Sequence, residues 1–199
     1  MTNGTTSYPG YPGVGVDEAM TELHNLVGQI TARWASVEES LFHVFVVALA
    51  GTWLAGDFRP YRAVFFAFNF FDTKMRMVDS AMQARFGADE NIMADWKEIR
   101  KSLRGFAEIR NKVAHTIPIP KGSSDPTARA TVRLVPPFWK TVLKEDFDEA
   151  GYSVDELWQA LAPYWGYHPR IPNPPSGPSD QLGYRVQQFA MQLDPNARP

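Results

Sequence analysis

Three polar residues near the middle of the chain, Arg110, Asn111 and His115, have types and a spacing suited to chemistry. The planar guanidinium of Arg110 offers several N–H donors to phosphate or carboxylate oxygens and stays charged near neutral pH. The imidazole of His115 can release or accept a proton in the same pH range. Asn111 can hydrogen-bond an anion or fix the histidine ring. These groups together indicate acid–base chemistry on an anionic ligand.

Arg110 stands in an apolar stripe whose members recur at spacings of three and four, which predicts a helix. The stripe consists of Ile92, Trp96, Ile99, Leu103, Phe106 and Val113. A buried guanidinium without partners is costly, so Arg110 must be paired or must line a cleft. One alternative is a structural pair with Glu38, with His115 capping the helix end. In the other, Glu38 orients the guanidinium of a working site, and both roles can coexist.

The helix itself does not bring Arg110 and His115 together. Asn111 and His115 are four residues apart and share a face. Arg110 and His115 are five apart, about 140° around an ideal helix. They converge only if the helix end is distorted or if a second chain completes the site. Pro118 disfavours helical geometry at Ile117, so we expect the helix to end near His115.

Basic residues are concentrated on this helix, although the whole chain has a net charge of −2. Candidates for holding a polyanionic ligand by counterion release are Arg100, Lys101, Arg104 and Lys112. The alternative is an ordinary solvated helix face with charge pairs between successive turns.

Further apolar stripes predict two more long helices, over about 17–50 and 64–82. The fold class expected is all-α, an antiparallel helical bundle with a small β-hairpin and a proline-rich C-terminal strap. We expect a disordered leader over 1–16, the helical domain over 17–165 with a hairpin or loop insertion at about 118–150, and the extension over 166–199. The hairpin would pair 131–135 with 138–143. Short helices are expected after the capping-box pattern of Ser153 and Glu156, and over 181–193.

Composition excludes several classes of protein. The 199 residues contain no cysteine, which removes disulfide frameworks, thiolate zinc sites and cysteine nucleophiles. Three histidines, His24, His43 and His168, are scattered, so no metal site and no cofactor are expected. The apolar run 41–56 is too short for a spanning helix and predicts a buried helix end, with no membrane association. No secretory signal is visible, and a cytoplasmic location is expected.

The motif Arg110-Asn111-x-x-x-His115, late in a long helix of an all-α bundle, resembles the Arg-(four to six residues)-His motif of HEPN domains. A polar residue directly after the arginine is typical of that family. The first helix, with Trp34, Val37, Glu38 and Leu41, also fits its layout, and the resemblance covers roughly residues 17–165. It implies a metal-independent endoribonuclease that acts as a two-fold homodimer, of toxin or anti-phage defence type, with an antitoxin or defence-system partner. The alternative is a catalytically inactive HEPN-like module that binds a nucleotide or a partner protein.

Two aromatic groups have two interpretations each. The helix over 64–82 carries five phenylalanines (Phe65, Phe66, Phe68, Phe70 and Phe71), which fit either a dimer interface or a helix buried on both sides. Tyr164, Trp165, Tyr167 and His168 fit either base stacking or anchoring of the strap on the bundle, and the second is favoured.

Overall fold

The computed structural model describes residues 16–52, 57–121, 131–135, 152–165 and 181–196. These residues are mainly helical, which confirms the all-α class. The helices are α1 (Val16–Ala50), α2 (Arg59–Phe66), α3 (Phe71–Phe86), α4 (Glu90–Ala114), α5 (Val154–Trp165) and α6 (Leu182–Leu193). The strands are β1 (Ile117–Lys121), β2 (Thr131–Val135) and β3 (Tyr152–Ser153). The leader through residue 15 and the proline-rich segment 166–180 lie outside the described residues.

The chain divides into two compact units. One consists of Met1–Thr31 and Ile109–Leu161, and the other of Ala32–Glu108 and Ala162–Pro199. Both units draw on the domain predicted over 17–165, and the second also contains α6 from the predicted C-terminal extension.

The first unit contains an antiparallel sheet in the order β1-β2-β3. Ile117 pairs with Val135, and Arg133 pairs with Ser153. The predicted strand 131–135 is therefore confirmed, but its neighbours are β1 and β3, and the proposed partner 138–143 lies outside the described residues. Strand β1 was missed because it contains Pro118 and Pro120. An edge strand tolerates prolines two residues apart, since neither position then needs to donate an N–H to the neighbouring strand.

The capping box predicted at the start of α5 is confirmed. The Ser153 N–H donates to Glu156 Oε2 at 2.7 Å, and the Glu156 N–H donates to Ser153 Oγ at 3.2 Å. This reciprocal pair satisfies two backbone donors that the first turn of a helix leaves without partners. The residues that end β3 thus also begin α5.

The second unit is built around Trp34, which is buried. Its ring contacts Phe71 edge-on at 4.8 Å and Phe106 at 5.6 Å, and Phe106 in turn stacks on Tyr164 at 5.5 Å. These four rings join α1, α3, α4 and α5. Trp34 and Trp96 lie in apolar stripes of the sequence, and the structure buries both, at 5% and 2% exposed.

The prediction of one continuous helix from 64 to 82 is wrong. The chain leaves helical geometry after α2, and Phe70 has extended backbone angles (φ −90°, ψ 123°) before α3 begins. Val64 and Phe68, expected to be buried in the stripe, are 52% and 43% exposed. Nearly every residue from 63 to 71 is apolar, so periodicity could not locate the break.

The apolar run that begins at Leu41 forms the end of α1 and is mainly buried through Ala48, with Val44 and Val47 fully inaccessible. The prediction of a buried helix end is wrong for Leu49, which is 48% exposed, and residues 53–56 of the run lie outside the described residues. Gly51 ends the helix with a positive φ of 85°, a conformation that favours glycine, and its N–H donates to Val47 O at 2.9 Å. None of the described helices combines the length and the apolar character needed to cross a membrane.

Candidate functional site

The end of α4 positions Arg110, Asn111 and His115, and these three residues lie in the first unit. The helix stops at Ala114, as predicted from Pro118. Its last turn tightens: the His115 N–H donates to Lys112 O and the Thr116 N–H donates to Val113 O, both at 3.3 Å. Thr116 Oγ1 also donates to Val113 O at 2.9 Å. His115 is therefore the first residue beyond the helix, in a turn of tighter pitch.

Arg110 is half-buried and bonds to its neighbour. Its Nη1 donates to Asn111 Oδ1 at 3.0 Å. The expectation that this arginine must be paired or line a cleft is met in part by the asparagine amide. Asn111 is itself exposed. The bond fixes the direction of a guanidinium whose fork shape matches phosphate oxygens.

His115 is exposed in the turn after α4. Within the part of the chain that the structure describes, no hydrogen bond or ring contact joins it to Arg110 or Asn111. The structure therefore brings Arg110 and Asn111 together and leaves the imidazole accessible to solvent. A ligand or a second chain that reached the end of α4 would meet this exposed imidazole.

Glu38 has a partner that the sequence did not indicate. It accepts a hydrogen bond from Lys74 Nζ at 3.0 Å, within the second unit. The Lys74 side chain is only 6% exposed, and its ammonium lies 4.9 Å from the centre of the Phe66 ring. The signal in the sequence was a lysine beside the apolar stripe of α3, between Phe71 and Met75. The predicted role of Glu38 as support for Arg110 stays a prediction.

A second polar cluster lies one residue further along α1. Glu39 accepts a hydrogen bond from Arg62 of α2, and His43 lies one turn along with its Nε2 at 3.9 Å from Glu39 Oε1. Burial lowers the pKa of His43 below its usual value of 6.5, and the charge of Arg62 acts in the same direction. Glu39 opposes this shift but does not cancel it. The folded chain therefore favours the neutral form of His43 beside the ion pair of Glu39 and Arg62.

The lowered pKa of His43 makes stability depend on pH. As the pH falls through 6.5 the unfolded chain protonates this histidine more readily than the folded chain does, so the free energy of unfolding should fall as the pH is lowered towards the folded pKa. His43→Gln should remove part of that fall. Urea unfolding at pH 7.5 and at pH 5.5 measures it. His24→Gln, at an exposed position, is the control and should behave as the wild type. Equal pH dependence in all three chains would contradict the assignment.

The four basic residues proposed to bind RNA differ in their contacts and exposure. Arg100 Nη1 donates to Asp79 Oδ2 at 3.1 Å, and the same carboxylate accepts from Trp96 Nε1 at 2.9 Å. Arg100 thus forms an ion pair with Asp79 within the second unit. Lys101 and Arg104 of that unit are exposed and three residues apart, so they share a face of α4. Lys112, in the first unit, is also exposed.

The aromatic residues at the end of α5 belong to the core of the second unit. Trp165 is 1% exposed and lies under the guanidinium of Arg33 at 4.4 Å. Tyr164 stacks on Phe106. Both contacts favour the anchoring interpretation over base stacking. Tyr167 and His168 lie outside the described residues.

Among the described residues, no group of three His, Asp or Glu side chains is placed to hold a metal ion. Comparisons of the chain with protein-family models, with curated proteins and with solved structures gave no match.

Proposed function

We propose that this chain is a metal-independent endoribonuclease of toxin or anti-phage defence type that acts as a homodimer. The observation that carries the proposal is the arrangement at the end of α4, where a guanidinium bonded to Asn111 lies five residues before an exposed imidazole. The resemblance of this motif to that of HEPN domains supports the assignment, and so does the helical fold in which the motif ends a long helix.

The reaction that fits these groups is internal transesterification of RNA. A base takes the proton from a 2′-hydroxyl, and O2′ attacks the adjacent phosphorus. The P–O5′ bond breaks, and the leaving O5′ receives a proton from an acid. The products are a 2′,3′-cyclic phosphate and a free 5′-hydroxyl. An imidazole serves either proton step near neutral pH.

In this proposal Arg110 stabilises the negative charge that develops on the non-bridging phosphate oxygens. Asn111 orients the guanidinium through the 3.0 Å hydrogen bond, so that fewer conformations must be lost when the phosphate binds. Two copies of His115, one from each chain, would divide the roles of base and acid. The exposed Lys101, Arg104 and Lys112 would hold the RNA backbone.

The proposal predicts RNA cleavage by the purified full chain in the presence of EDTA. The products should carry 2′,3′-cyclic phosphate ends, which are detected by mass spectrometry or by their resistance to ligation before end repair. The reaction needs no added metal because the attacking and leaving oxygens exchange protons with imidazole. Cleavage abolished by EDTA and restored by a divalent cation would contradict the mechanism. Absence of cleavage by folded chain would favour the alternative, an inactive module that binds a nucleotide or a partner protein.

A further inference from the structure

The outward side of α2 is apolar. Five exposed residues recur at the spacing of one helix face: Pro60, Ala63, Val64, Ala67 and Phe68. Ala67 keeps helical angles (φ −65°, ψ −23°), and its N–H donates to Ala63 O at 3.1 Å, so the periodicity continues past the end of the helix. Phe70 follows and is 77% exposed. These six residues are called the outer face of α2 below.

The outer face carries no charge. No ionisable residue occurs between Arg62 and Asp72. Arg59, at the start of the helix, is held by Asp57 through two hydrogen bonds of 2.7 Å. A nucleic acid or a charged peptide would therefore find no partner for its charges there. A contiguous exposed apolar surface of this kind is typical of protein–protein contacts.

The inner side of α2 holds the helix in place. Phe65 is fully buried, and Phe66 lies between two cations, with Arg62 at 4.8 Å and Lys74 at 4.9 Å from its ring centre. Each cation is neutralised by a neighbouring glutamate of α1. Because these contacts fix the helix, its outer face is presented in one orientation. A partner then loses little conformational entropy on binding.

We propose that two copies of this chain associate through the outer face, with α2 of one copy antiparallel to α2 of the other. In the register that places Val64 against Ala67 of the second copy, Phe68 falls against Ala63 of that copy. Each large side chain then meets a small one, and a two-fold axis repeats every contact. A second copy is the partner that such an uncharged and self-complementary face fits.

The area of the outer face is sufficient for the centre of a dimer interface. Its six side chains offer about 500 Å² per copy, if a phenylalanine buries 150–250 Å² and the smaller residues less. Stable complexes bury about 800 Å² per partner, of which the central part is apolar. Arg59, Asn69 and Asp72, all exposed, would supply the polar rim.

This surface would serve the homodimer on which the proposed ribonuclease depends, and its test uses no RNA. If the chain forms a dimer through α2 but does not cleave RNA, the ribonuclease proposal is contradicted and the proposal of an α2 interface stands. If the chain cleaves RNA but associates through another surface, only the proposal of an α2 interface is contradicted.

Sedimentation equilibrium of the full chain over a wide concentration range tests the proposal. We expect a reversible dimer whose dissociation constant rises at least 30-fold, about 2 kcal/mol, in Val64→Asp and in Phe68→Asp. Leu49→Asp is the matched control, because Leu49 is 48% exposed on α1, and it should leave the dissociation constant unchanged. Wild-type chain that stays monomeric would overturn the proposal, as would a dimer that both α2 variants preserve.

Cross-linking gives a readout that does not depend on the stability of the aspartate variants. The chain has no cysteine, so Ala67→Cys introduces a single thiol near the two-fold axis. Copper–phenanthroline should oxidise it to a covalent dimer, whereas Leu49→Cys should remain monomeric on a non-reducing gel. Equal cross-linking of the two variants would contradict the contact between α2 helices.

Discussion

Replacing His115 by alanine should reduce the rate of RNA cleavage about 1,000-fold, because general acid–base catalysis contributes factors of that order. The side chain is exposed in the turn after α4, so its removal leaves no cavity in the core. The chain should therefore keep its thermal stability. Initial rates at saturating RNA, measured in EDTA, give the effect on the chemical step rather than on binding. Full activity of His115→Ala would exclude the imidazole from the reaction.

Arg110→Ala should lower the same rate by about 100-fold or more, since it removes the donors aimed at the developing charge. Arg110→Lys should recover little, because an ammonium cannot reproduce the planar fork. Arg104→Ala is the matched control on the same helix: an exposed arginine whose loss should weaken RNA binding and change the saturated rate less than about threefold. If Arg110→Ala and Arg104→Ala lowered the rate at saturating RNA by the same factor, the result would contradict a catalytic role for Arg110.

Glu38→Ala should lower the free energy of unfolding by about 3 kcal/mol, the cost expected when one member of a buried ion pair is removed. The reason is Lys74, whose nearly inaccessible ammonium would lose the carboxylate at 3.0 Å. Glu39→Ala is the matched control on the next residue. Its partner Arg62 is 53% exposed, so the loss should be below about 1 kcal/mol. Urea unfolding at pH 7.5 measures both variants.

The double variant Glu38→Ala/Lys74→Met tests the cause of that loss. A methionine removes the buried charge and keeps most of the apolar stem, so the double variant should be more stable than Glu38→Ala alone. If the double variant were less stable than the single one, the loss would come from packing rather than from an unpaired ammonium. RNA cleavage by Glu38→Ala, measured where the variant is folded, would show whether this glutamate also supports Arg110.

Helix ends that are set by residues close to them in the sequence were predicted correctly. The stripe of α4 and the proline after it gave the position of His115, and the capping box gave the start of α5. In each case the signal lies within a few residues of the feature. The break between α2 and α3 has no such signal, because every residue from Ala63 to Phe71 except Asn69 is apolar and hydrophobic periodicity cannot be measured there.

Pairings between distant parts of the chain were not predictable. Glu38 and Lys74 are 36 residues apart, and Asp79 and Arg100 are 21 apart. Which acidic side chain pairs with which basic side chain depends on how α1, α3 and α4 pack. That packing cannot be inferred from one sequence. For the same reason β2 was recognised as a strand while its neighbours were not. The type of each candidate side chain was evident, and its partner was not.

The prolines of β1 also bear on how the chain behaves at high concentration. An open sheet edge is a template on which another chain can add a strand and begin to aggregate. Among the described residues, one edge of this sheet is β1, where Pro118 and Pro120 offer no N–H to an incoming strand, and the other edge is β3, described over Tyr152–Ser153. Neither edge offers an added strand a continuous series of backbone hydrogen bonds. Within the described part of the sheet, both edges are therefore poor templates for fibril growth.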